Sequence, residues 1–500
     1  MKIAVIGAGV AGLAAAGLLA RDGHEVTVYE KGSGPGGRAG SLEVEGFRFD
    51  TGPSWYLMPE AFDHFFEQMG TTTAQQLDLV ALEPGYRVAT DGHPPVDVHP
   101  RTIRDTFDEL EPGSWSTLDD YLRRAADIYD LALRRFLYTD FRSPRPFLDR
   151  EVLRRPHSFI NQLLAPLSHH VRRQFTHPVL RQILEYPAVF LATRPDKAPA
   201  LYHLMSHTDL TLGPQYPQGG FATLVDALYS LARQHGARFE FATAVDEIRV
   251  HGKQARGVMA GGVFYPYDAV VSAADYHFTQ QHLLATPHRS QSPGRVDAHD
   301  PGMSSVLVML GVRGETPELA HHTLQLSADW DADFDAVFGD GGDDAGASRS
   351  IYISRPSATD PDVAPAGHEN LFILVPVPAD PSIGRGSAYA DQSSPQVEAI
   401  ADAAVSRVAE LVPDLAERIV VRRTLGPGDF AQRYNSFMGS SIGPAHTLAQ
   451  SAMFRAPAQH RKVRGLYYAG GTVAPGVGVP MCLISAENAR DLIRRAARSA

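Results

Sequence analysis

Residues 1–30, MKIAVIGAGVAGLAAAGLLARDGHEVTVYE, and residues 465–493, GLYYAGGTVAPGVGVPMCLISAENARDLI, decide how this chain folds. In the first stretch, residues 2–6 read as a buried strand. Gly7, Gly9 and Gly12 then form G-x-G-x-x-G, an Ala/Leu-rich helix follows, and residues 25–29 are a second strand ending at Glu30. This is a βαβ unit with its acidic terminator. The glycines permit a tight turn and close approach of a pyrophosphate to the helix N-terminus, and Glu30, 18 residues past Gly12, can bond a ribose hydroxyl. In the second stretch, Gly470, Gly471, Gly476, Gly478 and Pro480 form a loop feeding a last helix, whose positive end can face a group on which negative charge gathers. The two stretches are expected to meet around one cofactor.

The residues after Glu30 narrow the choice of cofactor. KGSGPGGR at 31–38 is a second glycine turn closed by Arg38, and FDTGPS follows at 49–54. A NAD-dependent dehydrogenase needs neither. A second set of backbone amides and a guanidinium suit a longer dinucleotide such as FAD.

Five hundred residues exceed one core and suggest two or three subdomains. An apolar share of 44% and a charged share of 21% describe an ordered globular chain, and the net charge of -11 argues against nucleic-acid binding. The single cysteine, Cys482, excludes an internal disulfide and suits a reducing cytoplasm. It reads as a small core residue rather than the site of a covalent flavin link. Residues 3–20 carry no charge and follow Lys2, as in a signal peptide or membrane span. The glycine spacing, the stop at Arg21-Asp22-Gly23 and the resumed strand favour strand, turn and helix instead.

Further along, residues 59–69 predict a helix and residues 77–98 short strands of a second layer, and helical patterns dominate 102–207. Residues 219–240 predict an amphipathic helix and then a strand, Gly261-Gly262 a turn, and residues 269–274 a strand returning to the nucleotide-binding part. Residues 306–311, 350–355 and 371–376 read as strands of a separate sheet, linked by an Asp/Gly-rich surface loop at 329–344. Asp329, Asp331, Asp333 and Asp335 alternate as in a calcium loop, but Phe334 stands where glycine is needed and Asp340 where glutamate is needed. His203 and His207, one helical turn apart with Asp209 nearby, are weak candidates for acid/base chemistry; without a third ligand they make no metal site. Between residues 131 and 181, ten arginines (134, 135, 142, 145, 150, 154, 155, 172, 173 and 181) face three carboxylates, interleaved with aromatic and aliphatic side chains such as Phe136, Phe141 and Phe147. That pattern suits an anionic membrane surface.

Blocks spread along nearly the whole chain resemble the bacterial CrtI-type phytoene desaturases, within the amine-oxidase-like FAD superfamily. They are GGRAG and DTGPS; HPVLRQILEYPAVFLATRPDKAPALYHLMSHTDL with YPQGGF; IYISRPSATDPDVAPAGHENLFILVPVP; FMGSSIGPAHTLAQSAMFRAP; and GGTVAPGVGVP. The Gly470-Gly471 pair stands where many relatives have Gly-Ala or Gly-Ser. The resemblance implies an α/β fold with a discontinuous Rossmann-like FAD-binding domain (1–82, 216–282 and 460–500), a mixed-sheet substrate domain (83–122 and 283–459) and a helical, membrane-facing cap (123–215). It implies FAD held by Gly7, Gly9, Val10, Ala11, Gly12, Glu30, Lys31, Gly36, Gly37, Arg38, Pro53, Ser54, Trp55, Val245, Gly470, Gly471, Val479, Pro480 and Met481. The implied reaction moves a hydride from a methylene of an acyclic carotenoid, phytoene towards lycopene, to flavin N5, with oxygen or a quinone as final acceptor and no metal. The protein is then cytoplasmic and peripheral to the membrane. The other classes are an amine or porphyrinogen oxidase, which needs a polar or aromatic cage, and a non-catalytic prenyl-binding protein of the GDP-dissociation-inhibitor type.

Overall fold

The computed structural model describes residues 1–139, 162, 164–290, 294, 298–339, 346–390 and 392–498. Three distant parts of the chain build one parallel sheet of five strands, in the order Leu466–Tyr468, Ala269–Ser272, Lys2–Ile6, Glu25–Tyr29 and Arg238–Glu240. A parallel strand inside such a sheet is covered on both faces, which is why residues 3–6 are apolar without alternation and fully buried. The helix Val10–Arg21 lies against this sheet and packs on the terminal helix Val479–Arg498, on Phe221–Gln234 and on Pro59–Met69. Eleven of its twelve residues are buried, so the uncharged run at 3–20 is a strand and helix of the core. Among the described residues no helix is long and apolar enough to cross a membrane.

The second layer is a mixed sheet of seven strands, in the order Ile419–Leu425, Met303–Arg313, His368–Pro378, Ile351–Ser354, His322–Leu326, Tyr86–Thr90 and Val96–Val98. Its strands pair antiparallel except His322–Leu326 with Tyr86–Thr90. The strand Met303–Arg313 shows the period of two that fixes its faces. Val306, Val308, Leu310 and Val312 pack under the helix Pro395–Ala409, while Leu307 and Met309 meet Phe47 and Phe49 of the hairpin Ser41–Val44/Phe47–Asp50. A three-stranded antiparallel sheet, Val245–His251, Gln254–Ala260 and Val263–Pro266, turns at Gly261-Gly262 as predicted. The helices Ile103–Leu110, Ser114–Ala132 and Pro178–Glu185 share a core with Tyr86, Val88 and Val98 at the edge of the large sheet.

One expectation is overturned. The Asp-rich stretch from 329 is not a surface loop: residues Trp330–Phe338 form an α-helix, with Asp329 capping the Ala332 amide. Trp330, Phe334 and Val337 are buried on one face. The buried Asp333 carboxylate accepts bonds from the hydroxyls of Ser327 and Ser350 and from the Arg349 amide. Alternating aspartates hid an i, i+4, i+7 apolar stripe. Residues 340–345, the rest of the expected loop, lie outside the described residues.

A long-range cap ties FDTGPS to YPQGGF. The helix Phe221–Gln234 starts after Gly220 with no cap from its own neighbours, and the Asp50 carboxylate, 171 residues away, accepts the Phe221 amide at 2.8 Å. Gly220 has φ +79°, and a Cβ there would sit 2.6 Å from Asp50 Oδ2, so glycine is what lets the carboxylate come up against the start of the helix. Replacing Asp50 with alanine should lower unfolding free energy by about 1–2 kcal/mol in urea denaturation, with Asp50→Asn retaining most of it. Equal losses in both variants would show that the cap is not the stabilising element.

Candidate functional site

The first glycine turn is built by close approach. A Cβ on Gly12 would lie 1.9 Å from the Gly7 carbonyl oxygen, so the helix Val10–Arg21 can cross the end of its strand only with glycine there. The N-terminus of this helix has no side-chain cap and no acidic residue in its first turn, which leaves its amides for an anion. At Gly9, by contrast, a Cβ would meet nothing nearer than 3.9 Å. The space beside Gly9 is open within the protein.

Glu30 locks the two glycine turns together. Its Oε2 accepts the Ala8 amide at 2.8 Å and its Oε1 the Gly32 amide at 2.7 Å, while the Gly36 amide donates to the Ala8 carbonyl at 2.9 Å. Gly9 and Gly36 form a bridge. The middle segment enters beside Glu30: the Thr243 amide donates to the Glu30 carbonyl at 2.8 Å, and Val245 is buried with Tyr29.

The other end of the chain closes the cradle. A Cβ on Gly470 would fall 3.9 Å from the Ala11 Cβ, so the C-terminal loop touches the first helix. The Gly470 amide donates to Ser485 Oγ at 2.8 Å and the Tyr276 amide to Thr472 Oγ1 at 3.0 Å, pinning the loop from both sides. Val479, Pro480 and Met481 open the terminal helix, whose first turn has no acidic residue. Arg38 reaches across to Ser436 Oγ at 2.6 Å and the Ile442 carbonyl at 3.3 Å, and its buried Nε has no partner. Burial pushes the Cys482 thiol up to about 11, so it is neutral and unreactive.

Thus the two glycine turns, Glu30, the segment entering at Thr243 and the loop at Gly470 are brought against one another. An uncapped helix end, open space at Gly9 and an unpartnered guanidinium nitrogen fit a dinucleotide pyrophosphate. Other expected residues point elsewhere. Lys31 Nζ binds the Gln432 carbonyl at 2.7 Å and Asn435 Oδ1 at 2.9 Å. Beyond Pro53, Ser54 Oγ bonds the Tyr352 hydroxyl at 2.7 Å, and Trp55 stacks on His322 with ring centroids 4.3 Å apart.

Trp55 belongs to an aromatic cluster that the sequence did not reveal. Tyr86, Tyr186, Phe190, His322 and Tyr352 surround it, and Tyr86 donates to the buried Asp209 carboxyl at 2.9 Å. Burial raises Asp209 to about 7, against two tyrosine hydroxyls that oppose the shift, and holds His322 far below the imidazole range. His203 is buried beside Tyr121 and His170 with Nδ1 on the Ala200 carbonyl at 2.8 Å; desolvation lowers it to about 4. His207 packs on Tyr129 and is also lowered by burial. These contacts put both histidines among the helices, away from the glycine loops.

Of the ten arginines between 131 and 181, those at 142, 145, 150, 154 and 155 lie outside the described residues. Arg134 pairs with Asp130, and Arg172 with Glu185 and Asp331, so part of the positive excess is neutralised locally.

Residues 10–493 match the family model described as flavin containing amine oxidoreductase. A carotenoid 3,4-desaturase of Haloarcula japonica is 38% identical over 98% of this chain and 97% of its own. A zeta-carotene-forming phytoene desaturase of Myxococcus xanthus is 33% identical over 97% of this chain and 92% of its own. Among solved structures, a cyclohexylamine oxidase from Brevibacterium oxydans aligns with TM-score 0.63 at 15% identity, covering 99% of both chains. An oxidoreductase from Methanosarcina mazei aligns with TM-score 0.63 at 16% identity, covering 98% of this chain and 100% of that one.

Two outcomes follow from this geometry. Gly9→Ala should keep the melting temperature of the cofactor-free protein and weaken FAD binding by about 10- to 100-fold, the worth of a charge-assisted contact. Gly12→Ala should cost about 3 kcal/mol or more in stability by driving a Cβ into the Gly7 carbonyl. A Gly9→Ala protein with full flavin affinity contradicts the assignment of the pyrophosphate to this turn. Asp209 is raised in the folded state from 3.8 to about 7, so its stabilisation is present at low pH and is lost as pH rises through about 7. Urea midpoints at pH 5 and pH 8 should therefore fall for the wild type relative to Asp209→Asn; parallel midpoints would show that Asp209 ionises normally.

Proposed function

The chain belongs to the flavin containing amine oxidoreductase family, and on that premise we propose that it desaturates an acyclic carotenoid, with phytoene the first substrate to test. It is an FAD-dependent oxidoreductase. The observation that carries the substrate reading is that desaturases of carotenoids match it from end to end, whereas the amine oxidases share its fold at far lower identity.

In this reading the amides at the start of the helix Val10–Arg21 and the Arg38 guanidinium hold the FAD pyrophosphate. Glu30 keeps lone pairs free for the ribose beyond its two backbone bonds. Val245 packs beside the nucleotide, and the loop 470–481 with the first turn of the terminal helix faces the ring. FAD supplies the redox step by taking a hydride from a methylene. The protein's part is to orient a hydrocarbon with no polar handle and to exclude water, since no nucleophile or metal is required. The aromatic rings packed around Trp55, those of Phe190, Tyr186 and Tyr352, are the ones this reading sets along the path of the substrate.

A C40 hydrocarbon partitions into membranes, so the enzyme collects it at an anionic surface from the cytoplasmic side. The basic, aromatic composition of residues 131–181, with Leu164 65% exposed, supports this contact. Electrons leave to oxygen or a quinone.

Expression in a phytoene-accumulating bacterium should yield pigments absorbing at progressively longer wavelengths. The purified protein with FAD should do the same on anionic vesicles, less on neutral ones, and less at high salt. Unchanged phytoene and later acyclic carotenoids, together with turnover of an amine or porphyrinogen, would replace this reading with the oxidase one. A protein that binds the carotenoid but never flavin would make it a prenyl-binding protein.

A further inference from the structure

Arg455 is the only Asp, Glu, Lys or Arg in residues 437–457, and its side chain is taken out of water, with 5% of the residue exposed. Its guanidinium is spent entirely on backbone carbonyls. Nη2 donates to Gly471 at 2.8 Å, Nε to Val473 at 3.2 Å and Nη1 to Gln450 at 3.3 Å, and both terminal nitrogens lean on Pro444 at 3.4–3.5 Å. No carboxylate pairs with it among the described residues. The other buried arginines differ: Arg407 meets Asp91 and Glu410, and Arg490 meets Asp491. Burial lowers Arg455 to about 10, which still leaves it charged at neutral pH. His446, buried beside it and held neutral by burial and by this charge, contributes no anion.

A buried cation without an anion is costly, and carbonyl dipoles compensate it only in part. The proposed flavin loop is where a negative charge arrives. A hydride brings two electrons and one proton to the ring and leaves it with one extra negative charge, while a second proton leaves the neighbouring carbon of the carotenoid. We propose that Arg455 is a positioning residue of the flavin loop 470–481, and that its uncompensated charge favours the reduced cofactor over the oxidised one. This rests on the placement of FAD given above.

The backbone shows how the positioning works. Two of the four carbonyls, Gly471 and Val473, belong to the flavin loop; the other two, Pro444 and Gln450, belong to the segment that precedes Arg455. One rigid fork therefore staples the loop to a second wall. In the trans peptide 471–472, turning the Gly471 carbonyl onto Arg455 turns the Thr472 amide the opposite way. Among the described residues that buried amide has no acceptor, which leaves it for a ligand.

The test measures the flavin content of the wild type first, because a protein without FAD there refutes the underlying placement rather than the role of Arg455. Arg455→Met keeps an unbranched stem and removes the guanidinium charge. Its bound flavin should show a two-electron potential about 30 mV more negative, the equivalent of about a tenfold loss in preference for the reduced form. Arg455→Lys keeps a point charge but cannot serve four carbonyls, so it should hold the potential near that of the wild type while weakening binding of oxidised FAD severalfold. An Arg455→Met protein whose flavin keeps the wild-type potential overturns the inference. So does an Arg455→Lys protein with wild-type FAD affinity and a shifted potential, a result readable even if the methionine variant does not fold.

Discussion

The Glu30 carboxylate is the joint on which the cleft depends. One oxygen takes the amide of Ala8 in the first glycine turn and the other that of Gly32 in the second, at 2.8 and 2.7 Å. Charge-assisted bonds of this kind contribute about 1.5–3 kcal/mol each, enough to fix two glycine-rich turns against each other. The backbone of Glu30 completes the joint, donating to Glu240 and accepting from Thr243, so the strand pairing of the middle segment is set at the same residue. A single residue, through its side chain and its backbone, thereby registers three stretches of chain against each other.

The consequences run outward through the sheet. With Lys2–Ile6 at its centre, Ala269–Ser272 and Leu466–Tyr468 follow on one side, and the loop after the last of these strands comes into contact with Ala11. The seven-stranded sheet is then attached by polar threads as well as by the apolar cluster of Phe47, Phe49, Leu307 and Met309. Asp50 caps the helix Phe221–Gln234, Lys31 reaches Gln432 and Asn435, and Arg38 reaches Ser436. Lys31 and Arg38 each leave the second glycine turn and end on residues 432–442, which holds that turn in register with the segment that follows the strand Ile419–Leu425.

Much of this was legible in the sequence because it is local. The G-x-G-x-x-G spacing, the short apolar run at 306–311 and the Gly261-Gly262 turn each state their own geometry. The Asp-rich helix Trp330–Phe338 was misread because its charges alternate with period two while its buried face, Trp330, Phe334 and Val337, follows the helical period. Arg455 stood in a quoted block without being singled out, since nothing in its neighbours shows that it binds carbonyls 16 and 18 residues away. The cluster of Trp55, His322, Tyr352 and Asp209 was invisible for the same reason: its members come from four remote segments, and only the folded sheet brings them together.

The central claim is that the cradle joining the two ends of the chain holds a flavin that oxidises a hydrocarbon. Its most direct test is the absorption spectrum of the purified, flavin-loaded protein mixed anaerobically with an acyclic carotenoid on anionic vesicles. The account predicts loss of the oxidised-flavin band with matching growth of a longer conjugated polyene. Bleaching by an amine with none by any acyclic carotenoid would contradict it.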